Sequence, residues 1–596
     1  MMTFEEIRAK LPQLKTNDYN RYLNIVEEKC DLKKLPLLKI ACLRSYTVEP
    51  LEPLLKLRLI LEGFNPEFSY GNYNQFAQEI FNDSSFLYDL KPDIILFFSR
   101  LEDFLPEFNT AFNSRSPSEW KKIIESSARQ LGTYAQHIRK RLDSQMIFQN
   151  MSFLSLPYWG VYDAQQSQNQ VHLVHEFNQL LTEEMSSVPN AFIWDFNHFL
   201  LRKGYDSVSD SKMWYLSKNP FKYSAYPEVI TDLCRYLISA LGKVKKCIVL
   251  DLDNTLWGGI VGEDGFDGIA LGEDYPGSCF RGLQKELFKL YQRGIMLAIN
   301  SKNNENDVFE VIDKHPGMIL RRNHFAAYRI NWKDKATNLL ELAEELNIGI
   351  ESMIFIDDNS RECELIRQTF PECTVVELPE TVYNFPKIIQ ELNGIENIRL
   401  TEEDKKKGEM YQAQIARRNI RKTVSNLEDY LKSLDIEVIF EVANNFSISR
   451  IAQLTQKTNQ MNLTTRRYSE ADIRSFTANN NSLVYSVSAR DKLGDHGIIG
   501  VIILKISGNE CFIDTFLLSC RVIGLTIEQS MLAYIHEKAR ERGCKLLIGE
   551  YIPTKKNKPA ADFYEKAKFR KTNDSCYILD LANQNIQSSP FIKHKK

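Results

Sequence analysis

The sequence predicts an α/β protein built from three α/β domains. The chain has 596 residues, which at about 100 to 200 residues per domain is too long for a single core. Short apolar runs typical of buried strands alternate with amphipathic helical segments, and several of these runs end in polar residues. We expect domains at 1–241, 242–395 and 431–583, joined by a helical connector at 396–430 and followed by a polar tail at 584–596.

Composition and charge exclude several classes of protein. Hydrophobic residues make up 43% and charged residues 26% of the chain, which is close to the globular average and disfavours disorder, collagen and coiled coil. The 75 basic and 78 acidic residues give a net charge of -3, so no overall positive charge favours nucleic acid or an anionic membrane. Because no apolar run approaches the roughly 18 residues needed to span a bilayer, and the amino terminus lacks an apolar signal segment, we expect a cytoplasmic protein.

Four carboxylates follow buried strands of the predicted middle domain. Asp251 and Asp253 follow one apolar run, and alternation along an extended chain places them on the same side. Asp357 and Asp358 follow another apolar run. The carboxyl ends of parallel strands form the crevice where open α/β sheets bind ligands. Carboxylates that meet at one edge repel one another when all of them are ionised. A bound hard cation such as Mg²⁺ best explains how all four can carry a negative charge.

These residues resemble the motifs of the haloacid dehalogenase superfamily, phosphotransferases with a Rossmann-like fold. Asp251, Asp253 and Thr255 match the first motif, DxDxT. The resemblance implies that Asp251 attacks phosphorus to form an aspartyl-phosphate, while Asp253 protonates the leaving oxygen and then activates water. The remaining roles that it implies are a phosphate-binding hydroxyl at Ser301, a catalytic lysine at Lys335 rather than the nearby Lys333, and metal ligands at Asp251, Asp253, Asp357 and Asp358.

Longer motifs resemble a narrower family, the FkbH-like proteins. The segments that carry this resemblance are 251–265, 300–304 and 355–359, and it covers about residues 246–569. In that family a phosphatase-type domain handles a phosphorylated three-carbon acyl donor, 1,3-bisphosphoglycerate, and a glyceryl thioester forms on an acyl carrier protein. The substrate-binding residues expected in the middle domain are Thr255, Ser301, Lys302 and Asn303.

The carboxyl-terminal domain resembles GNAT-type acyltransferases, in which an RxxGxG/A loop before a helix binds the pyrophosphate of coenzyme A. Arg521 and Gly524 match this loop, whereas Thr526 replaces the small final residue. The resemblance implies that Asn557 contributes to substrate binding and that Tyr564 protonates a leaving thiolate. The cofactor expected here is coenzyme A or the phosphopantetheine arm of a carrier protein.

Cys520 is a candidate for carrying the acyl group between donor and carrier. It precedes Arg521 at the start of a predicted helix, where the surroundings favour a thiolate. An equally good interpretation is a small apolar residue that fills the core beneath the loop, because free cysteines are often buried.

The amino-terminal region resembles the SGNH hydrolase-like, flavodoxin-like domain that precedes the phosphatase unit in some long FkbH-like proteins. A working hydrolase of that type needs a serine nucleophile after its first strand and a late DxxH that supplies the base. Ser45 has the first position, and Asp195 and His198 have the second spacing. The GDS signature around the serine is missing, so we favour a binding or docking role over esterase activity.

The sequence therefore predicts a Mg²⁺-dependent phosphatase coupled to an acyltransferase. The leading hypothesis is that it removes phosphate from a small phosphorylated acyl donor and passes the acyl group to the thiol of an acyl carrier protein. A rival hypothesis separates the two steps: dephosphorylation of a phosphosugar, and acylation of a sugar during polysaccharide biosynthesis. A third is a scaffold with degenerate sites. We expect neither nucleic acid nor a membrane as a partner.

Overall fold

A computed structural model shows two compact units, Met1–Lys243 and Val244–Lys596. The structure describes residues 7, 11, 14–29, 31–153, 155–399, 417, 420–421, 424, 426–458, 460–554, 557–572 and 575–595. Most of the predicted connector at 396–430 therefore lies outside the described residues. Among the described residues, no helix combines the length and the apolar character that crossing a membrane requires.

The first unit contains a five-stranded parallel sheet in the order β2-β1-β3-β4-β5, the order of flavodoxin-like doubly wound sheets. Alternate residues of β1 belong to different apolar clusters, Ile40 and Cys42 to one, Ala41 and Leu43 to the other, so both faces of the sheet are covered. The strands are β1 (Leu37–Arg44), β2 (Asn65–Tyr70), β3 (Ile94–Phe98), β4 (Gln145–Gln149) and β5 (Ala191–Trp194). The helices are α1 (Thr16–Lys29), α2 (Glu52–Leu61), α3 (Phe76–Phe81), α4 (Phe86–Leu90), α5 (Leu101–Phe104), α6 (Pro117–Arg139), α7 (Gln170–Ser186), α8 (Phe196–Lys203), α9 (Tyr205–Val208), α10 (Ser211–Ser217) and α11 (Tyr226–Ala240).

The second unit begins with another five-stranded parallel sheet, in the order β10-β9-β6-β7-β8. The first strand of this sheet in the chain, β6, lies at its centre, which is the Rossmann-like arrangement that the sequence predicts. The strands are β6 (Cys247–Leu250), β7 (Met296–Ser301), β8 (Phe325–Ile330), β9 (Met353–Asp357) and β10 (Thr374–Glu377). The helices are α12 (Val261–Gly268), α13 (Gly277–Gln292), α14 (Glu305–Lys314), α15 (Lys335–Leu346), α16 (Ser360–Thr369) and α17 (Phe385–Gln390).

The register of this sheet positions the site. Leu250, the last residue of β6, pairs with Ile299 of β7 and Ile356 of β9. The next residues along the three strands, Asp251, Asn300 and Asp357, therefore reach the same edge. β6 consists of four buried apolar residues, so this edge follows a rigid, fully covered strand.

A mixed sheet of nine strands completes the second unit, in the order β17-β18-β16-β15-β14-β13-β11-β19, with β12 paired to β15. Neighbouring strands pair antiparallel except β15 with β16 and β11 with β19. The strands are β11 (Ile436–Val442), β12 (Met461–Asn462), β13 (Ser482–Asp491), β14 (Gly494–Ser507), β15 (Glu510–Leu518), β16 (Leu546–Glu550), β17 (Arg570–Lys571), β18 (Cys576–Asp580) and β19 (Ile592–Lys595). The helices are α18 (Leu427–Leu434), α19 (Ile448–Lys457), α20 (Glu470–Ala478), α21 (Ile527–Glu541) and α22 (Phe563–Lys566). β19 comes from the segment that the sequence analysis assigns to a polar tail.

Candidate active site

Three carboxylates, those of Asp251, Asp357 and Asp358, meet at the carboxyl edge of the second parallel sheet. Each offers one oxygen, and these oxygens lie within 4.8 Å of one another. Asp251 follows β6, and the other two lie at the end of the neighbouring β9. The Oδ1 atom of Asp251 is buried and has no hydrogen-bond partner. Carboxylate oxygens, one of them buried without a partner, fit a hard cation such as Mg²⁺.

Lys335, the first residue of α15, lies against this cluster. Its Nζ is 3.0 Å from Oδ2 of Asp251 and 2.6 Å from Oδ2 of Asp357, and its side chain is only 4% exposed. Burial lowers the pKa of Lys335, but the two carboxylates outweigh burial and raise the pKa above its ordinary value. Lys335 therefore stays an ammonium. Lys333, the alternative lysine, instead forms an exposed ion pair with Glu341.

Burial and mutual repulsion act on the carboxylates at the end of β9. Burial raises the pKa of Asp357, the charge of Asp251 raises it further, and Lys335 opposes both effects. Burial and the charge of Asp251 also raise the pKa of Asp358. A bound divalent cation would offset this repulsion, so cation binding and ionisation of the cluster favour each other.

Asp253 lies in a separate environment. Its carboxylate accepts hydrogen bonds from Trp257 Nε1 at 2.9 Å, from the Val261 amide at 3.1 Å and from Asn303 Nδ2 at 2.9 Å. These donors fix the orientation of the carboxylate, as an acid or base beside a nucleophile requires. The Asp253 side chain is not among the three carboxylates of the cation cluster, so the expected role of Asp253 as a metal ligand stays a prediction. The chain leaves the extended conformation at the next residue, because Asn254 has a φ of 53°.

The other motif residues of the middle domain occupy buried or half-buried positions. Ser301 is buried, and its Oγ accepts a hydrogen bond from Asn303 Nδ2 at 3.2 Å. Thr255 is fully buried, and its hydroxyl has no hydrogen-bond partner. Lys302 is half-buried and forms an ion pair with Glu362 at 2.6 Å. Asn303, expected to bind substrate, thus connects Ser301 with Asp253.

Three asparagines to which the sequence analysis assigns no role, Asn300, Asn331 and Asn338, position Lys335. Asn300 Nδ2 donates to the Lys335 carbonyl at 2.9 Å, and Asn338 Nδ2 donates to Asn300 Oδ1 at 3.2 Å. Asn338 and Asn331 also contact each other through both of their amide groups, at 3.3 and 3.1 Å. The signal that could have found them is their position, since Asn300 and Asn331 lie where β7 and β8 end.

The hydrogen bond from Asn303 to Asp253 leads to a kinetic prediction. Asn303→Ala removes one of the donors that orient this carboxylate, so we expect kcat for phosphate release to fall by about tenfold to a hundredfold with little change in KM. Steady-state kinetics would measure the change, and Asn304→Ala, at the next residue, is the matched control. An unchanged kcat in Asn303→Ala would show that Asp253 needs no such support.

Tyr564 lies in the core of the third domain. Its side chain is 1% exposed, and its ring packs against Tyr577 and Phe569 with centroids 5.2 and 5.0 Å away. A Cβ atom at Gly549 would lie 2.3 Å from Tyr564 Cζ, so only glycine leaves room for this ring on β16. Burial strongly raises the pKa of the Tyr564 hydroxyl. The structure therefore gives Tyr564 a packing role and does not support the expected role as an acid.

Asn557 closes a loop. Its Nδ2 donates to the carbonyls of Asn462 at 3.0 Å and Ile552 at 2.9 Å. Its Oδ1 accepts from the Thr554 amide at 2.7 Å and from the Tyr551 hydroxyl at 3.2 Å. The residue is fully buried, and these contacts use both donors of its amide. This corrects the expectation that Asn557 binds substrate.

The turn that precedes α21 contains Arg521, Gly524 and Thr526, which the sequence analysis compares with a coenzyme A loop. Arg521 Nε donates to Ser519 Oγ at 3.2 Å, and Gly524 has a φ of 87° that suits glycine. The hydroxyls of Thr526 and Ser589 lie 2.6 Å apart, so the start of α21 contacts the carboxyl-terminal segment of the chain. The side chain of Cys520 lies outside the described residues. Binding of coenzyme A or of a phosphopantetheine arm at this helix therefore stays a prediction.

In the first unit, Ser45 and His198 follow two strands that are not neighbours in the sheet. Ser45 follows β1, and its hydroxyl donates to Asp103. His198 is exposed on α8, after β5, and two strands lie between β1 and β5. Asp195 caps α8 by accepting from the His198 amide at 3.1 Å, which explains the DxxH spacing. The described contacts therefore do not form the serine–histidine pair of a hydrolase.

Comparisons with known proteins find one family model and several solved structures that are similar to parts of the chain. Residues 54–235 match the family model described as FkbH, N-terminal domain. The crystal structure of the N-terminal part of BF1531 from Bacteroides fragilis, which contains a phosphatase domain and is complexed with Mg, is similar over 65% of this chain and 100% of that chain, with 28% identity and a TM-score of 0.58. No curated protein matches the chain.

Acetyltransferases are similar over smaller regions. The ribosomal-protein-S18-alanine N-acetyltransferase from Escherichia coli is similar over 24% of this chain and 90% of that chain, with 12% identity and a TM-score of 0.20. A GNAT-family acetyltransferase from Staphylococcus aureus covers 24% of this chain and 99% of its own, with 14% identity and a TM-score of 0.19. The chain is thus similar to the FkbH N-terminal domain over residues 54–235, and over 65% of its length to the part of BF1531 that contains a phosphatase domain.

Proposed function

We propose that the protein is a Mg²⁺-dependent phosphatase that acts on a small phosphorylated metabolite. The observation that carries this proposal is the cluster of Asp251, Asp357 and Asp358 around one position, with Lys335 against it and Asp253 oriented separately. The similar phosphatase domain of BF1531, whose structure contains Mg, supports the choice of metal.

In the proposed reaction, Asp251 attacks phosphorus and the bond to the leaving oxygen breaks, while Asp253 gives that oxygen a proton. Asp253 then takes a proton from water, whose oxygen attacks the aspartyl-phosphate and releases inorganic phosphate and the Asp251 carboxylate. Lys335 neutralises charge at the nucleophile throughout. Bound Mg²⁺ would supply the additional positive charge that lets a carboxylate approach a phosphoryl group.

The direct test is Mg²⁺-dependent phosphate release by the full chain from a panel of phosphoesters and acyl phosphates. We expect release that disappears when EDTA removes the metal and returns when Mg²⁺ is restored. Absence of release from every compound, with and without Mg²⁺, would contradict the proposal.

We further propose that the substrate is an acyl donor of the 1,3-bisphosphoglycerate class and that the acyl group passes to the thiol of an acyl carrier protein. The Cys520 thiolate would attack the acyl phosphate, which releases phosphate and forms a thioester. The carrier thiolate would then attack this thioester and free Cys520, while Asp251 would hydrolyse the remaining phosphoester. The position of Cys520 directly before Arg521, where the surroundings favour a thiolate, supports this step.

Cys520→Ala tests the thioester step. We expect the variant to lose loading of a holo carrier protein from 1,3-bisphosphoglycerate, measured by intact mass, and to keep hydrolysis of a simple phosphoester. Cys576→Ala, a half-buried cysteine of the same domain, is the control. Full loading by Cys520→Ala would remove this cysteine from the reaction. Hydrolysis of phosphosugars without any loading by the unmodified protein would favour the polysaccharide hypothesis.

A further inference from the structure

An ion pair lies across the carboxyl edge of the second parallel sheet. Lys302 Nζ is 2.6 Å from Glu362 Oε1. Lys302 follows β7, and Glu362 lies in the first turn of α16, which follows β9. Because β6 lies between β7 and β9, a contact between these residues passes over the end of β6, where Asp251 lies.

The two partners differ in burial. The Lys302 side chain is 37% exposed, whereas that of Glu362 is 15% exposed. The second oxygen of Glu362, Oε2, is buried and accepts no hydrogen bond. Lys302 is therefore the partner that a ligand can reach, and Glu362 is the partner held in place.

A contribution to stability does not explain this pair well, because partly exposed ion pairs add little to the free energy of unfolding. Its position has another consequence. Lys335 forms ion pairs with Asp251 and Asp357, so its positive charge lies where the phosphoryl group of a substrate would bind. Lys302 follows Ser301 directly, and its pair with Glu362 spans the end of β6, so it adds a positive charge at the same edge of the sheet as Asp251.

We propose that Lys302 and Glu362 select phosphorylated substrates that carry a second anionic group, either a carboxylate or another phosphate. The second anion takes the place of Glu362 as the partner of Lys302, so one charge-assisted contact replaces another. A substrate with a neutral tail leaves the pair of Lys302 and Glu362 intact and gains no affinity from Lys302. This inference rests on the proposed function, which places the phosphoryl group at Asp251.

Binding of phosphonates, which are not hydrolysed, tests the inference without turnover. Calorimetry on the full chain with Mg²⁺ would compare 3-phosphonopropionate with propylphosphonate, which has a methyl group in place of the carboxylate. We expect the carboxylated compound to bind at least about tenfold more tightly. Equal affinities would overturn the inference alone, and failure of both compounds to bind would overturn the proposed function as well.

Variants assign the preference to this pair. Lys302→Met should reverse it, because Glu362 then faces the substrate without a counter-charge, and Lys302→Arg should restore it. Glu362→Gln should increase the preference, because Lys302 loses its competing partner. The control is the exposed pair of Lys314 and Glu310 on α14, where Lys314→Met should leave the ratio of the two affinities unchanged. A preference that persists in Lys302→Met would also overturn the inference.

Discussion

Asp251→Asn is expected to lower phosphate release by at least about a thousandfold, because it removes the nucleophile and one carboxylate of the cation cluster. The change leaves Lys335 paired with Asp357 at 2.6 Å, so we expect the domain to remain folded. Phosphate release with saturating Mg²⁺ would measure the loss, and denaturant unfolding would verify the fold.

The matched control for Asp251→Asn is Asp313→Asn. Asp313 lies in the last turn of α14, far along the helix from the carboxyl edge, and forms an exposed ion pair with Arg322. The same chemical change there should leave phosphate release near the value of the unmodified protein. Comparable activity of the Asp251 variant and this control would contradict the assigned nucleophile.

Lys335→Met is expected to lower the free energy of unfolding by about 3 to 5 kcal/mol when EDTA removes divalent cations, because two buried carboxylates then face each other without a counter-charge. Adding Mg²⁺ should recover part of this loss, since a cation among the carboxylates replaces some of the missing positive charge. Denaturant unfolding with and without Mg²⁺ would measure both effects.

Lys333→Met separates the two lysines that the sequence offers. Lys333 is exposed in its ion pair with Glu341, so its replacement should change the free energy of unfolding by no more than about 1 kcal/mol. It should also leave the response to Mg²⁺ as it is in the unmodified protein. Equal destabilisation by Lys333→Met and Lys335→Met would mean that the buried ion pairs do not stabilise the domain.

The central strands of the parallel sheets could be predicted because strands such as β3 and β6 are buried throughout and appear as continuous apolar runs. The apolar run at Ala191–Trp194 is the whole of β5, and the apolar run at Ile94–Phe98 is the whole of β3. The shortest strands of the nine-stranded sheet could not be predicted from apolar runs. β12, β17 and β19 contain two to four residues, which is too few for any periodic pattern to show.

The candidate site was predictable where it depends on strand ends, as for Asp251, Asp357 and Asp358. It was not predictable where it depends on local turns or distant partners. Asp253, for example, is oriented by a donor from Asn303, which lies fifty residues further along the chain. A local pattern can also have two causes, since the spacing of Asp195 and His198 serves a helix cap as well as it would serve a base.

The two outermost strands of the nine-stranded sheet, β17 and β19, are short and basic. They contain two and four residues and carry Arg570, Lys571, Lys593 and Lys595. A border strand exposes unpaired amides and carbonyls that can recruit a strand from another molecule, and short, positively charged borders make such recruitment unfavourable. Both borders of this sheet therefore disfavour pairing with a strand of another molecule.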